Sequence, residues 1–217
     1  MNRQYIFFDL DGTLTDSQPG IYESLRIMLN HFGIEKTDEE LKPFLGPALW
    51  DSLPKYCGFT HEKCVEAVEV FRKHYFSTGI YNNSVYEGIP EVLESLKAAG
   101  KNLVLATGKP VEQAEIVINH FGLGKYFDFI GGSTLDKSRS KKGQVIAYAM
   151  EQMKFTETDR SKIIMVGDRD NDINGAHENG LEVAAVLYGY GSRPEFEKAG
   201  ADYIVDTVVA LGKFLLS

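Results

Sequence analysis

The sequence is poor in cysteine. Its 217 residues contain two, Cys57 and Cys64, and their number and spacing fit neither a disulfide framework nor a CxxC pair. We interpret them as reduced, partly buried thiols. The sequence therefore favours a reducing compartment.

Long hydrophobic runs are also missing. Near the N-terminus, Arg3 is soon followed by the short apolar run Tyr5–Phe8, which is too short for a signal peptide or a membrane span. No later stretch reaches about 18 apolar residues, the length that a membrane helix needs. We expect a soluble, cytoplasmic protein without a membrane partner.

Basic residues are outnumbered. The chain has 23 Lys and Arg residues against 31 Asp and Glu residues, a formal net charge of −8. A protein that binds nucleic acid normally carries a basic face, so this function is not expected. An anionic substrate would need locally placed positive charge. The five histidines show no HExxH or paired spacing, so they are not expected to form a metal site.

What is present is the composition of a globular protein, with 43% hydrophobic and 25% charged residues. From residue 102 onward, short apolar segments alternate with helical segments, a pattern that predicts a parallel sheet covered by helices on both faces. The predicted strands are Tyr5–Phe8, Asn102–Ala106, Phe127–Ile130, Ile163–Val166, Glu182–Val186 and Tyr203–Val205. The predicted helices between the later strands are Val111–His120, Gln144–Met153 and Asp172–Asn179.

Residues 17–83 interrupt this alternation. Apolar stripes at helical spacing and a capping-box pair, Thr37 with Glu40, predict helices and no strand in this stretch. We therefore predict an α/β core formed by residues 1–16 and 84–217, with a small helical domain inserted at 17–83.

Two carboxylates lie one residue apart at the end of the first predicted strand, in the segment FFDLDGTLTD. Asp9 and Asp11 share a face if the backbone is extended, since side chains alternate along a strand. Like charges this close require a cation or a proton between them. The carboxyl ends of strands are also where open α/β sheets build their sites.

Two later strand ends carry matching polar groups. Thr107, Gly108 and Lys109 follow the second core strand, and Gly167 opens the segment GDRDND after the strand IIMV. Together with DxDGT at residues 9–13, these segments resemble the ordered motifs of the haloacid dehalogenase superfamily, including its GDxxxD motif. The resemblance covers essentially the whole chain and implies a Rossmann-like three-layer core with a helical cap domain.

The family also places a lysine before a Val-Ile pair at the start of a helix between the last two motifs. Lys137, Lys141 and Lys142 are the candidates in this sequence. Lys142, in KKGQVI, fits the pattern with one residue of slack. Lys141 is the alternative, and for at least one of the two the role is that of a solvated surface lysine.

The resemblance implies phosphoryl transfer with Mg²⁺ as the cofactor. Asp9 would be the nucleophile, and Asp11 would protonate the leaving group and later activate water. Thr107, Gly108 and Lys142 would bind the phosphoryl oxygens. The metal ligands would be the carboxylates of Asp9 and Asp168 and the main-chain carbonyl of Asp11, while Asp172 would hold the metal through water or orient the lysine.

Within the superfamily, the segment GPALWDSL at residues 46–53 and the sequence around it look closest to bacterial proteins named phosphoglycolate phosphatase or 5′-nucleotidase. We therefore expect a phosphatase acting on a small-molecule phosphate ester. In relatives with helical caps, a glycine-centred turn contacts the leaving group, which here implies Gly46 and Pro47. A β-phosphoglucomutase-like mutase is disfavoured, because Phe44 and Leu45 replace the basic residues expected before that glycine. A non-catalytic phosphate-binding module is the remaining alternative.

Overall fold

The structure, a computed structural model, describes residues 3–136 and 138–217. Lys137, one of the three candidate lysines, lies outside the described residues. The chain divides into two compact units. The first comprises Met1–Asp16 and Val85–Ser217, and the second comprises Ser17–Ser84.

The described residues contain eight β-strands. They are β1 (Tyr5–Phe8), β2 (Thr15–Asp16), β3 (Ser84–Val85), β4 (Asn102–Pro110), β5 (Phe129–Ser133), β6 (Ile163–Gly167), β7 (Glu182–Val186) and β8 (Tyr203–Val205).

Six of these strands form one sheet in the order β5-β4-β1-β6-β7-β8, and all five neighbouring pairs in it are parallel. The chain builds outward from β1 to one side through β4 and β5, and then to the other side through β6, β7 and β8. This reversal makes the carboxyl end of β1 a topological switch point, where open α/β sheets bind ligands. In register, Phe8 pairs with Leu105 of β4 and Val166 of β6.

Ten α-helices are found in the described residues. They are α1 (Gln18–His31), α2 (Asp38–Leu41), α3 (Leu49–Cys57), α4 (His61–Ser77), α5 (Ile89–Ala98), α6 (Val111–His120), α7 (Lys142–Gln152), α8 (Asp170–Glu178), α9 (Arg193–Ala199) and α10 (Val208–Leu216). No described helix is both long and apolar enough to cross a membrane.

The hydrophobic core lies against the sheet. On one face, Phe7, Val104 and Met165 pack with Val145 of α7 and Ile173 of α8. Their neighbours along the strands are also buried, including Ile6, Phe8, Leu105 and Val166. Strands buried on both faces read as nearly continuous apolar runs, as β1 and β6 do. The predicted three-layer α/β fold is confirmed.

The strand predicted at residues 127–130 lies two to three residues later in the structure, where β5 spans residues 129–133. The extension contains Gly131 and Gly132, and glycine is a poor strand former. A Cβ atom at Gly132 would lie 2.7 Å from the carbonyl oxygen of Lys109 and from Cα of Val111. Glycine at this position therefore permits the close approach of the backbone that follows β4.

Two helices begin two residues earlier than the apolar periodicity indicates. The structure starts α7 at Lys142 and α8 at Asp170, because the first turn of a helix can be polar and then carries no apolar stripe. The earlier start brings Lys142 into the first turn of α7, while Asp172 remains in the first turn of α8. Both first turns lie at the carboxyl edge of the sheet.

The second unit is helical and contains α1 to α4. The predicted capping box is confirmed at the start of α2: the amide of Thr37 donates to Oε2 of Glu40 at 2.9 Å, and the amide of Glu40 donates to Oγ1 of Thr37 at 3.4 Å.

Candidate active site

Three buried carboxylates meet at the carboxyl edge of the sheet. Asp9 follows β1, Asp168 follows β6 and Asp172 lies in the first turn of α8. One oxygen of each lies within 4.8 Å of the other two, and Asp168 and Asp172 are completely buried. The sheet topology explains the convergence, because β1 and β6 are parallel neighbours.

Lys142 reaches into this cluster. Its Nζ lies 2.8 Å from Oδ1 of Asp9 and 2.7 Å from Oδ1 of Asp172, and it donates to the carbonyl oxygen of Ala106 at 3.1 Å. Only 2% of the side chain is exposed. Lys141, in contrast, is exposed. Of these two candidates, Lys142 is the one in contact with the carboxylates.

Burial and neighbouring charges shift the pKa values of Asp168, Asp172 and Lys142. Burial and the nearby Asp172 and Asp9 carboxylates raise the pKa of Asp168 well above its usual range. Burial also raises the pKa of Asp172 to about 6, although Lys142 opposes this shift. Burial disfavours the charged form of Lys142, but the Asp172 and Asp9 carboxylates raise its pKa above the usual value. The cluster is therefore short of positive charge.

Both oxygens of Asp172 are engaged. While Oδ1 pairs with Lys142, Oδ2 accepts the backbone N–H groups of Asp168 at 3.1 Å and Arg169 at 3.0 Å. A Cβ atom at Gly167 would lie 2.3 Å from Cγ of Asp172. The glycine that opens the GDxxxD segment thus leaves room for the last aspartate to turn back onto the strand end.

Thr107 and Gly108 lie at the end of β4, beside β1. The Thr107 side chain is buried, and its Oγ1 accepts the amide of Lys109 at 3.2 Å. A Cβ atom at Gly108 would meet nothing within 4 Å. The backbone at Gly108 is therefore open to a small ligand.

Asp11 is placed differently from Asp9. Its side chain is not part of the three-carboxylate cluster found among the described residues. Instead its Oδ2 accepts a hydrogen bond from Nζ of Lys109 at 2.7 Å. Lys109 had no role predicted from the sequence, where its position directly after the Thr-Gly pair was the available signal.

A loop after β7 also contacts the cluster, a contact that was not predicted from the sequence. The amide of Tyr190 donates to Oδ2 of Asp168 at 2.8 Å, and Oγ1 of Thr13 donates to Oδ1 at 3.1 Å. A Cβ atom at Gly189 would lie 2.4 Å from Cβ of Asp168. The signal was an aromatic residue between two glycines after a strand.

Gly12 is the tightest position in the site. Its φ is +83°, and a Cβ atom would lie 2.1 Å from Oδ2 of Asp168. Only glycine satisfies both conditions, which explains the glycine of DxDGT in physical terms.

Gly46 and Pro47 belong to the second unit, in the segment before α3, and both are exposed. Gly46 has a φ of +97°, which favours glycine. Their part in substrate recognition stays a prediction.

The fold and the motifs agree with comparisons to known proteins. The profile of the family described as haloacid dehalogenase-like hydrolase matches residues 6–186. A 5′-nucleotidase of Pseudomonas aeruginosa is 36% identical over 98% of this chain and 95% of its own length. A phosphoglycolate phosphatase of Aquifex aeolicus is 32% identical over 85% of both chains.

A tyrosine-protein kinase, PtkA of Mycobacterium tuberculosis, is 35% identical over 93% of this chain and 68% of its own length. Among solved structures, a predicted phosphatase from Clostridium acetobutylicum superimposes with a TM-score of 0.94 and 42% identity, covering 100% of this chain and 99% of that one. The chain therefore belongs to the haloacid dehalogenase-like hydrolases, in their phosphoglycolate phosphatase-like branch, and is a phosphoric monoester hydrolase.

Proposed function

We propose that the protein is a Mg²⁺-dependent phosphatase that hydrolyses a small cytosolic phosphate monoester through an aspartyl-phosphate intermediate. The observation that carries the proposal is the buried cluster of Asp9, Asp168 and Asp172 around Lys142 at the switch point of the sheet.

The cluster fits a magnesium ion. Mg²⁺ prefers carboxylate and carbonyl oxygens to nitrogen or sulfur ligands. Three carboxylates and one ammonium leave two negative charges unbalanced within the cluster, which is the charge that one divalent cation neutralises. The raised pKa values of Asp168 and Asp172 express the same imbalance. We assign the ion to Asp9, Asp168 and the main-chain carbonyl of Asp11, with Asp172 next to them.

Bound there, the ion would offset the negative charge of a phosphate dianion that otherwise repels a carboxylate nucleophile. Asp9 then attacks phosphorus, so that a bond forms between its carboxylate oxygen and phosphorus as the bond from phosphorus to the leaving oxygen breaks. Asp11 gives a proton to that leaving oxygen. In the second half, Asp11 takes a proton from water, the water oxygen bonds to phosphorus, and Asp9 is released.

The phosphoryl oxygens would be held by Lys142, by the hydroxyl of Thr107 and by the open backbone at Gly108. These donors are fixed before the substrate arrives, so they lose little energy to reorganisation in the transition state. Because both oxygens of Asp172 are occupied, we favour its role in orienting Lys142 over a role as a direct metal ligand.

We also propose that the inserted helical unit, predicted as residues 17–83, acts as the cap that selects the leaving group. The groups assigned above contact only phosphate and metal, which all monoesters share. The turn at Gly46 and Pro47 is the candidate for reading the rest of the substrate.

The test is a phosphate-release assay with a generic aryl phosphate, with Mg²⁺ and then with a chelator. We expect turnover only with Mg²⁺, and we expect Asp9→Asn to abolish turnover while the thermal unfolding temperature stays close to that of the wild type. Rapid acid quenching should trap phosphate on the wild type and none on Asp9→Asn. Activity of Asp9→Asn near the wild-type level would remove Asp9 from the nucleophile role.

The identity to a 5′-nucleotidase supports one alternative, a phosphatase of nucleoside monophosphates. A panel that contains phosphoglycolate, sugar phosphates and nucleoside 5′-monophosphates separates the two. Preference for a nucleotide by kcat/KM would favour the alternative. Because one relative is named as a tyrosine kinase, ATP with a tyrosine peptide belongs in the same panel.

A further inference from the structure

Lys109 is a buried cation to which the proposed mechanism assigns no role. Only 4% of its side chain is exposed, and its Nζ lies 2.7 Å from Oδ2 of Asp11. Burying an ammonium group is costly unless it is paired. The contact with Asp11 is therefore a fixed part of the site.

The two oxygens of Asp11 have different surroundings. Oδ2 accepts the Lys109 hydrogen bond, whereas Oδ1 is buried and has no hydrogen-bond partner. Buried carboxylate oxygens are rarely left unpaired in folded proteins. An ammonium group can only donate hydrogen bonds, so Oδ2 serves as the acceptor for Lys109. Oδ1 is therefore the oxygen available to carry the proton that Asp11 exchanges with the substrate.

The backbone around Lys109 is fixed from two sides. Its amide donates to Oγ1 of Thr107 at 3.2 Å, and the pairing of β4 with β5 shifts register between Thr107 and Pro110. Gly132 of β5 permits the close approach to the carbonyl of Lys109. The irregular end of β4 thus directs the lysine toward the loop that carries Asp11.

We propose that Lys109 is a positioning residue for proton transfer, which holds Oδ2 of Asp11 so that Oδ1 faces the leaving oxygen. This inference rests on the proposed function. As phosphorus bonds to Asp9 and its bond to the leaving oxygen breaks, the proton on Oδ1 moves to that oxygen. As water then attacks phosphorus and the bond to Asp9 breaks, Oδ1 receives the proton of the water.

The distinguishing measurement is the dependence on the leaving group. An aryl phosphate has a good leaving group and needs little protonation, whereas an alkyl phosphate depends on it. General acid catalysis contributes about 10² to 10⁴-fold, so we expect Lys109→Met to lower kcat for the alkyl ester at least about 10-fold more than for the aryl ester. KM should change little for both. Lys109→Arg, which keeps the cation, should restore part of the loss.

The control is Lys198→Met, which removes an exposed lysine of the same unit. It should change kcat for neither ester. In an Asp11→Asn background, Lys109→Met should not change the ratio of the two rates any further, because residues that act together are not additive. Equal losses on both esters, or no loss, would overturn the inference. If Lys109→Met fails to fold, Lys109→Ala, which also removes the cation, carries the comparison, and an unchanged ratio has the same meaning.

Crystal structures of the wild type and Lys109→Met supply a readout that does not depend on turnover. We expect the Asp11 carboxylate to leave its position in the variant, and an unchanged carboxylate would contradict the proposed role. Failure of the proposed function looks different, since the folded wild type would then release no phosphate from either ester with Mg²⁺.

Discussion

Replacement of Lys142 by methionine tests the core of the site most directly. The variant keeps the length and the apolar part of the side chain and removes only the ammonium group. That group lies 2.8 Å from Asp9, 2.7 Å from Asp172 and 3.1 Å from the carbonyl of Ala106. The change leaves three buried carboxylates without the cation that separates them.

Removing one partner of a buried ion pair typically costs about 3 to 5 kcal/mol. For a chain of this size, each kcal/mol lowers the unfolding temperature by roughly 2 to 4 °C, so the expected fall is roughly 6 to 20 °C at neutral pH without metal. The loss should be smaller near pH 5, where the carboxylates can take up protons, and saturating Mg²⁺ should recover part of it.

Activity should fall independently of stability. Losing one oriented donor to transition-state charge costs about 2.7 to 4 kcal/mol, or about 10² to 10³-fold in kcat. The measurements are thermal unfolding by circular dichroism and phosphate release well below the unfolding temperature.

Lys141→Met is the matched control, because Lys141 is the adjacent residue and is exposed. It should change the unfolding temperature and kcat very little. If the two variants behave alike, or if Lys141→Met is the damaging one, the placement of Lys142 in the site is wrong.

Three further predictions concern metal, backbone and substrate. The pKa of Asp172 is raised to about 6, so the metal-free native state holds an extra proton between about pH 4 and 6 and loses stability as pH rises through that window. The raised pKa of Asp168 acts in the same direction. Mg²⁺ should therefore raise the unfolding temperature more at pH 7.5 than at pH 5, and equal shifts would contradict this. Gly12→Ala should destabilise the fold and weaken Mg²⁺ binding far more than Gly100→Ala, because both have positive φ but only Gly12 has Asp168 in the way; similar unfolding temperatures would refute the steric argument. Gly46→Val should lower kcat/KM for the preferred metabolite more than for an aryl phosphate. Gly58→Val, at a positive φ in the same unit, should leave the ratio of the two kcat/KM values unchanged. Equal losses of kcat/KM on both substrates would show that Gly46 does not contact the leaving group.

The positions of Asp9, Thr107 and Asp168 were predictable because each directly follows an apolar run that forms a strand. Apolar runs locate strands well when both faces of the sheet are buried, and the carboxyl ends of parallel strands then fall on one edge. The spacing of GDxxxD has an equally local cause. Four residues bring Asp172 round the first helical turn, where its Oδ2 reaches the amides of Asp168 and Arg169.

The choice between Lys141 and Lys142 could not be made from periodicity, because it depends on where α7 begins and on space supplied by another helix. A Cβ atom at Gly175 of α8 would lie 2.8 Å from Cγ of Lys142, so this glycine makes room for the lysine. The contacts of Lys109 with Asp11 and of Tyr190 with Asp168 join residues 98 and 22 positions apart. Such pairs depend on tertiary packing, which no local pattern encodes.

The identity of the substrate could not be predicted from the sequence, for a related physical reason. In the proposed mechanism, the groups around Lys142 bind only the phosphoryl group and the metal, and none of them is assigned a contact with the alcohol to which the phosphate is esterified. The 5′-nucleotidase and the phosphoglycolate phosphatase are both similar to this chain over most of their length, although their names give substrates of very different size. Selectivity must then depend on positions outside the shared motifs. Comparing Gly46→Val with Gly58→Val tests whether the helical unit contains those positions. Both variants introduce the same kind of backbone strain, because both glycines have a positive φ. Only Gly46→Val alters the turn that is proposed to contact the leaving group.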